Sequence, residues 1–421
     1  MGSPGAVLEA LEGQSRRDLE RSLIVFSQSV EIPSIMKEKF MLIRGFRLLD
    51  LTGNLPPGTT CSHLLADMGI DVIKVEAPVD SHRGADESDK TKAYDALNRN
   101  KRSIVLDLKE SAAKEVFYKL VQSSDVVLES YRSGTAKRLG IDYDTLKTYK
   151  QGIVYCSITG YGQDGPYAEV AAHDTEASGF RGAFGHVGDT VITPSMVGIL
   201  LADAGAGLHA AMAILGALLA KTQNGQGCYI DIALADCVST FQLAKLNRYL
   251  ETSHVTPAEH LDRAAFKCKD GKFIVQANVE PRNWQRFCEV IGRMDFVGLP
   301  GSDEATKQRM VAEIREIMLT KTRDEWFREI AASGASVAPC LEIGEVMEHP
   351  QVAHRGLVWD LEHPTVGAVK QWGFPIKFSN SPIGLRSYAP AAGRDGKLIL
   401  EELGYTAAEV EAMTSSGAVK V

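Results

Sequence analysis

The sequence predicts an α/β protein: a parallel sheet covered by helices, followed by a second, smaller α/β domain. Three observations carry this. Strand-like and helix-like stretches alternate through residues 46–158, the pattern of a parallel sheet with helices on both faces. The first strand, helix and strand fit within about thirty residues, the length of one βαβ unit. Past Thr252 the texture changes to a hairpin and long helices.

Residues 46–51 read as the first strand, and Pro56-Pro57-Gly58 as the loop that opens a helix over 59–68, which Gly69 stops. Asp71 to Glu76 is the second strand. Next come a strand at 103–108, a helix at 111–122 with Ser111 as N-cap, a strand at 125–129 and a helix at 142–149. Residues 79–92 are polar and acidic, a surface loop. Residues 204–220 carry alanine or glycine at nearly every turn, so this helix packs closely on another backbone. Gln223-Asn224-Gly225-Gln226-Gly227 turns it into a strand from Tyr229 to Ala233. In the second domain, strands 266–268 and 273–277 flank the hairpin signal Asp270-Gly271. Helices over 281–292 and 302–333 bring Trp284, Phe287 and Trp326 to its core. A Pro/Gly-rich linker at 382–393 leads to closing helices at 395–413. The resulting division is an N-terminal extension (1–40), a large domain (41–250), a small domain (251–365) and a segment returning to the large domain (366–421).

A chain of 421 residues is ample for two or three domains, and a net charge of -8 excludes a broad nucleic-acid surface. The seven cysteines are scattered, odd in number and form no C-x-x-C, which is the usage of a reducing compartment and not of a disulfide framework or zinc site. No metal site is expected. Residues 196–220, the most apolar run, are interrupted by Asp203, His209 and glycines and read as a buried helix, not a membrane span. The first forty residues lack a secretory pattern, so a cytoplasmic location is expected.

Strand 153–158 delivers the stretch on which the function turns, GYGQDGPYAEVAAHDTEASG at 160–179. Ligands bind at the carboxyl ends of strands in open parallel sheets. There the glycines and Pro166 form a rigid turn, and His173 and Asp174 follow side by side among alanines. This pair suits acid/base or nucleophilic work, but Asp174 before Thr175-Glu176-Ala177 also reads as a plain helix cap. Asp203 carries the same ambiguity at the start of its helix. The donors Asn98, Arg99, Asn100, Lys101 and Arg102 read either as a solvated face or as a phosphate grip, with Lys74 and Arg138 close enough in the topology to join in.

Five ordered segments give a family resemblance: LLADMGIDVIKVE (64–76), NRNKRSIVLDLK (98–109), YRSGTAKRLG (131–140), YCSITGYGQDGPY (155–167) and GQGCYIDIALAD (225–236). Over about 45–404 the chain resembles the family III coenzyme A transferases and their relatives, the α-methylacyl-CoA racemases. The resemblance implies a Rossmann-like large domain with a small α/β domain, an interlocked homodimer, and coenzyme A thioester as substrate with no permanently bound cofactor. It also implies that Lys74, Asn100, Lys101 and Arg138 hold the phosphates, with Arg102 and Tyr161 beside them.

The two branches of the family differ in chemistry. A transferase uses the aspartate matching Asp174 as a nucleophile that passes through an acyl anhydride. A racemase moves the α-proton of a 2-methylacyl-CoA between two acid/base groups, here His173 and Asp203, with Glu280 of Val279-Glu280-Pro281 in support. His173, Glu280 and the absence of glycine from 254–266, where transferases carry a glycine run, favour the racemase. The transferase is the alternative. A silent subunit of a hetero-oligomer is a third reading, disfavoured because the acid/base residues are kept.

Overall fold

A computed structural model describes residues 41–421, apart from 79–87, 188–189, 255–262, 300–302, 382, 416 and 421. The expected extension at 1–40, most of the acidic loop and most of the glycine-free segment 254–266 lie outside the described residues.

Six parallel strands form the main sheet: β1 (Arg47–Asp50), β2 (Asp71–Glu76), β3 (Lys101–Leu106), β4 (Val126–Glu129), β5 (Val154–Thr159) and, after a two-stranded ribbon of β6 (Gly185–Val187) and β7 (Thr190–Ile192), β8 (Tyr229–Ala233). Most of these are short apolar runs buried on both faces, as a covered parallel sheet requires. Their spatial order is β3-β2-β1-β4-β5-β8, so the direction of winding reverses between β1 and β4. At such a reversal the loops leaving the two neighbouring strands diverge and open a crevice at their carboxyl ends.

Helix α1 (Pro56–Met68) starts earlier than expected, because prolines are tolerated in a first turn whose N–H groups have no helical partner. Gly69 ends it at φ 112°, where a Cβ would meet the Ile43 carbonyl oxygen at 2.6 Å. Helix α2 (Ser111–Gln122) has the expected range, but Glu110 holds the N-cap position and Ser111 is the first helical residue. The sheet separates two apolar cores. One holds Leu65, Ala66, Ala206, Ala210 and Ile214, and the other holds Phe117, Leu120, Ile399 and Leu400.

Between Asp174 and Thr240 come α3 (Asp174–Phe180), α4 (Leu201–Asn224) and α5 (Leu234–Thr240). Helix α4 is long and apolar enough to cross a membrane by length and composition alone, and its packing within the fold agrees with the reading of 196–220 as a buried helix. Half of its apolar window is buried inside the fold, and it lies so close to α1 that a Cβ at Gly207 would stand 2.7 Å from the Pro57 carbonyl oxygen. The small-residue pattern thus does what it predicted.

The described residues divide into two compact units, one running to Leu243 and resuming at Gly356, the other 244–355. In the second, β9 (Arg263–Lys267) and β10 (Phe273–Ala277) form the predicted hairpin with Gly271 at φ 80°, and β11 (Val337–Pro339) pairs with β10. Helices α6 (Pro281–Val290), α7 (Glu304–Met318) and α8 (Arg323–Ser333) bury Trp284, Phe287 and Trp326. The stretch 302–333, expected to be helical, is built as two helices. Thr322 stops its continuity by exchanging hydrogen bonds with Glu325, a capping box that starts α8.

Residues 356–421 belong to the first unit. They supply the hairpin β12 (Val358–His363) and β13 (Gly367–Trp372), two closing helices, and β14 (Val419–Lys420), which adds antiparallel to the β3 edge. The expected linker is pinned in place. Asn100, in the left-handed region at φ 62°, accepts the N–H groups of Arg386 (2.6 Å) and Ser387 (3.1 Å) through its side-chain oxygen.

Candidate active site

The loop after β5 folds back on itself: a Cβ at Gly160 would lie 2.7 Å from that of Ala172. Within it, Gln163 donates its N–H to Asp231 (2.9 Å) and its side-chain amide to Ser157 (2.6 Å), while Ser133 donates to its carbonyl (3.3 Å). This rigid loop delivers His173 and Asp174 at the carboxyl end of β5.

His173 occupies the N-cap position of α3, is exposed, and donates its backbone N–H to the Glu176 carboxylate (3.1 Å). Asp174 is the first helical residue and is 3% exposed. It caps another helix. Its Oδ2 accepts the N–H of Ala202 (2.7 Å) and of Asp203 (3.1 Å), two of the partnerless donors at the start of α4. The positive end of the α4 dipole therefore faces this carboxylate. Its Oδ1 is buried and, among the described residues, has no hydrogen-bond partner; the Ser178 hydroxyl, one turn along α3, is in the same condition.

Asp203 stands in the first turn of α4 and is itself buried. Burial, and next the Asp174 charge, push its carboxyl up to about 6, while His173 pulls the other way. His173, Asp174 and Asp203 thus form one electrostatic group. Glu280, the remaining expected site residue, lies in the second unit as the N-cap of α6, where its carboxylate accepts the Asn283 side-chain amide (3.0 Å).

In the structure the donors of this run are engaged by groups of the chain itself. Arg99, fully buried, bonds Asp67 through two nitrogens and lies 4.5 Å from the Trp359 ring centre. Asn100 donates to Asp67 (2.7 Å). Lys101, 0% exposed, is held by Asp50 (3.3 Å), Ser62 (2.8 Å) and Asn98 (3.1 Å). Arg102 pairs with Asp71 (2.6 Å) and Glu402 (2.7 Å). Carboxylates distant in sequence engage these donors, so the run ties β3 to its neighbours and to the returning C-terminal segment. Lys74, also buried, bonds Asn54 (2.6 Å) beside the crevice between β1 and β4. Arg138 is exposed on the short helix Thr135–Leu139 that follows β4, touching Thr135 (2.8 Å). The ring of Tyr161 packs on Tyr167 and Phe180.

One group escaped the sequence reading. Glu129, 2% exposed, ends β4 at the crevice, and burial pushes its carboxyl up to about 7; Asp231 adds to the rise, and bonds from Ser157 and the Tyr131 N–H oppose it. The available signal was a carboxylate closing the apolar run Val126-Val127-Leu128.

A doubly covered parallel sheet with a buried, half-anchored carboxylate in the segment that follows β5 marks out a candidate active site on an α/β fold. Residues 43–396 match CoA-transferase family III, and the chain belongs to that family, whose members act on CoA thioesters. A succinate–glutarate CoA-transferase of Agrobacterium fabrum is 31% identical over 394 residues, covering 86% of this chain and 95% of its own. A formyl-CoA:oxalate CoA-transferase of Streptomyces avermitilis is 30% identical over 407 residues, with 90% and 99% covered. A crystal structure of a CAIB/BAIF family protein from Brucella suis superposes with a TM-score of 0.72 at 28% identity, over 86% of this chain and 99% of that one.

Proposed function

We propose that this enzyme moves coenzyme A from an acyl-CoA to a second carboxylic acid, with Asp174 as the nucleophile. The observation that carries the reading is the asymmetry of its carboxylate, one oxygen anchored at the start of α4 and the other buried without a partner. A nucleophile must be both aimed and unencumbered, and this one is aimed by Oδ2 and unencumbered at Oδ1. The names of the two curated relatives support the transferase branch over the racemase branch that the sequence favoured.

Arg138, exposed on the helix that follows β4, and Lys74, on β2 beside β1, are the proposed phosphate contacts. A homodimer is proposed on the apolar surface of α4, where Met212 is 65% and Leu219 63% exposed. A cytoplasmic site of action agrees with seven free cysteines.

A second reading keeps a specific support: the Asp203 carboxyl, raised to about 6 beside His173, suits proton transfer at a thioester α-carbon. The separating experiment supplies succinyl-CoA with glutarate, and separately a chiral 2-methylacyl-CoA in deuterated water without any acid. Glutaryl-CoA formation, with a hydroxylamine-trappable adduct on Asp174, supports the transferase. Deuterium uptake at the α-carbon, with neither transfer nor adduct, would replace it with the racemase.

A further inference from the structure

We infer that the two N–H groups opening α4 form an oxyanion hole for Asp174 itself, so that Oδ1 is traded away in each turnover and Oδ2 is kept. This rests on the transferase reading above. In that chemistry Asp174 attacks once and is then attacked twice. Its Oδ1 adds to the thioester carbonyl of the donor, the carbon–sulfur bond breaks, and CoA leaves as thiolate. The thiolate then adds to the Asp174 carboxyl carbon. The bond from that carbon to Oδ1 breaks, and the donor acid departs carrying Oδ1. An oxygen of the acceptor carboxylate next adds to the resulting aspartyl thioester and expels the thiolate again. Finally the thiolate adds to the acceptor's carbonyl, its bond to the bridging oxygen breaks, and acceptor acyl-CoA leaves. Asp174 is restored with one oxygen from the acceptor.

Both additions at the Asp174 carbon drive negative charge onto whichever oxygen is not the bridge. The structure assigns that place to Oδ2. It accepts the Ala202 N–H at 2.7 Å and the Asp203 N–H at 3.1 Å, the two-donor arrangement that stabilises a tetrahedral oxyanion. The donors belong to a helix of 24 residues, so they are fixed before reaction and their dipole points at the oxygen. Two further observations place the reacting side opposite them: buried Oδ1 and the buried Ser178 hydroxyl both lack a partner among the described residues. The same pair of N–H groups also blocks rotation about the Cβ–Cγ bond, because turning the carboxyl over would break two hydrogen bonds in a buried site.

The test uses the wild-type enzyme, cycled through many turnovers with succinyl-CoA and glutarate labelled with heavy oxygen in both carboxyl groups, and separately with formyl-CoA and labelled oxalate. The peptide containing Asp174 is then weighed. One heavy oxygen, with no second gained on longer cycling, is the expected result. Two heavy oxygens would leave Asp174 as the nucleophile but overturn the fixed oxyanion hole. Transfer without any label, or no transfer with either pair, would remove the covalent reading and this inference with it. A second arm replaces a donor with Ala202→Pro, in the first helical turn where proline is tolerated. Loss of one donor is expected to lower kcat about 100-fold with KM little changed, and to let the second heavy oxygen enter. An unchanged kcat, or a label still limited to one oxygen, would overturn the assignment.

Discussion

Asp174 accepts the backbone N–H of Asp203 at 3.1 Å, so the first carboxylate of the site caps the helix that carries the second. The two are tied mechanically through the α4 terminus and electrically through burial, which pushes the Asp203 carboxyl up to about 6 with help from the Asp174 charge. Structure and chemistry at Asp174 are separable by choice of substitution.

Asp174→Asn keeps an oxygen for the Ala202 and Asp203 N–H groups and removes the nucleophile, whereas Asp174→Ala removes both. Both variants are expected to lose transferase activity by several orders of magnitude. Only the alanine variant should also lose stability, by about 1–2 kcal/mol for a lost helix cap. Denaturant unfolding beside an assay of CoA transfer checks this. Activity retained in the asparagine variant would end the case for Asp174 as nucleophile.

Glu129 makes stability depend on pH. Its folded carboxyl titrates at about 7 against an ordinary 4.5, so between these values the folded state holds a proton that the unfolded chain has released. Stability from this group is therefore present at low pH and lost as pH rises through about 7. Glu129→Gln should be neutral at pH near 5 and stabilising at pH near 8, by at most about 3 kcal/mol. Melting curves of both proteins across that range would refute the idea if they stayed parallel.

Arg138 is exposed, so its removal should spare the fold. Losing one charge-assisted hydrogen bond to a phosphate costs about 1.5–3 kcal/mol, which raises KM for the CoA substrate at least about tenfold with little effect on kcat. The wild-type KM should itself rise with salt, as screened charge contacts do. An unaltered KM in Arg138→Ala takes that residue out of the CoA site.

The α1–α4 contact is the tightest helix pairing around the site. Gly207→Ala puts a methyl 2.7 Å from both the Pro57 carbonyl oxygen and the Thr60 Cβ, with no flexible side-chain end to yield at the carbonyl. A destabilisation of about 1–3 kcal/mol is expected from overpacking, together with reduced turnover because α4 also holds Asp174. Gly216→Ala on the same helix meets nothing within 4 Å and serves as the control.

Much of the scaffold was legible because it is written locally. Apolar runs such as Val126-Val127-Leu128, the stop at Gly69, the turn at Asp270-Gly271 and the small-residue face of 204–220 each act through neighbours in sequence, and β2 and β8 fall at the residues expected. The stretch that holds the site was legible for the same reason, a glycine-rich turn after a buried strand.

What the local pattern lacks is the identity of partners far along the chain. By itself the sequence determined that Asp174 and Asp203 each lie near a helix start, and it left both as caps or chemistry. Tertiary structure decided that Asp174 caps the helix of Asp203, across 28 intervening positions. Likewise it decided that Asn98 to Arg102 meet Asp50, Asp67 and Asp71, and that Glu129 is sealed from water. The physical reason is common to all three. A hydrogen bond or a burial depends on which surfaces the packed core brings together, and that is a property of the whole fold that no stretch of sequence carries alone.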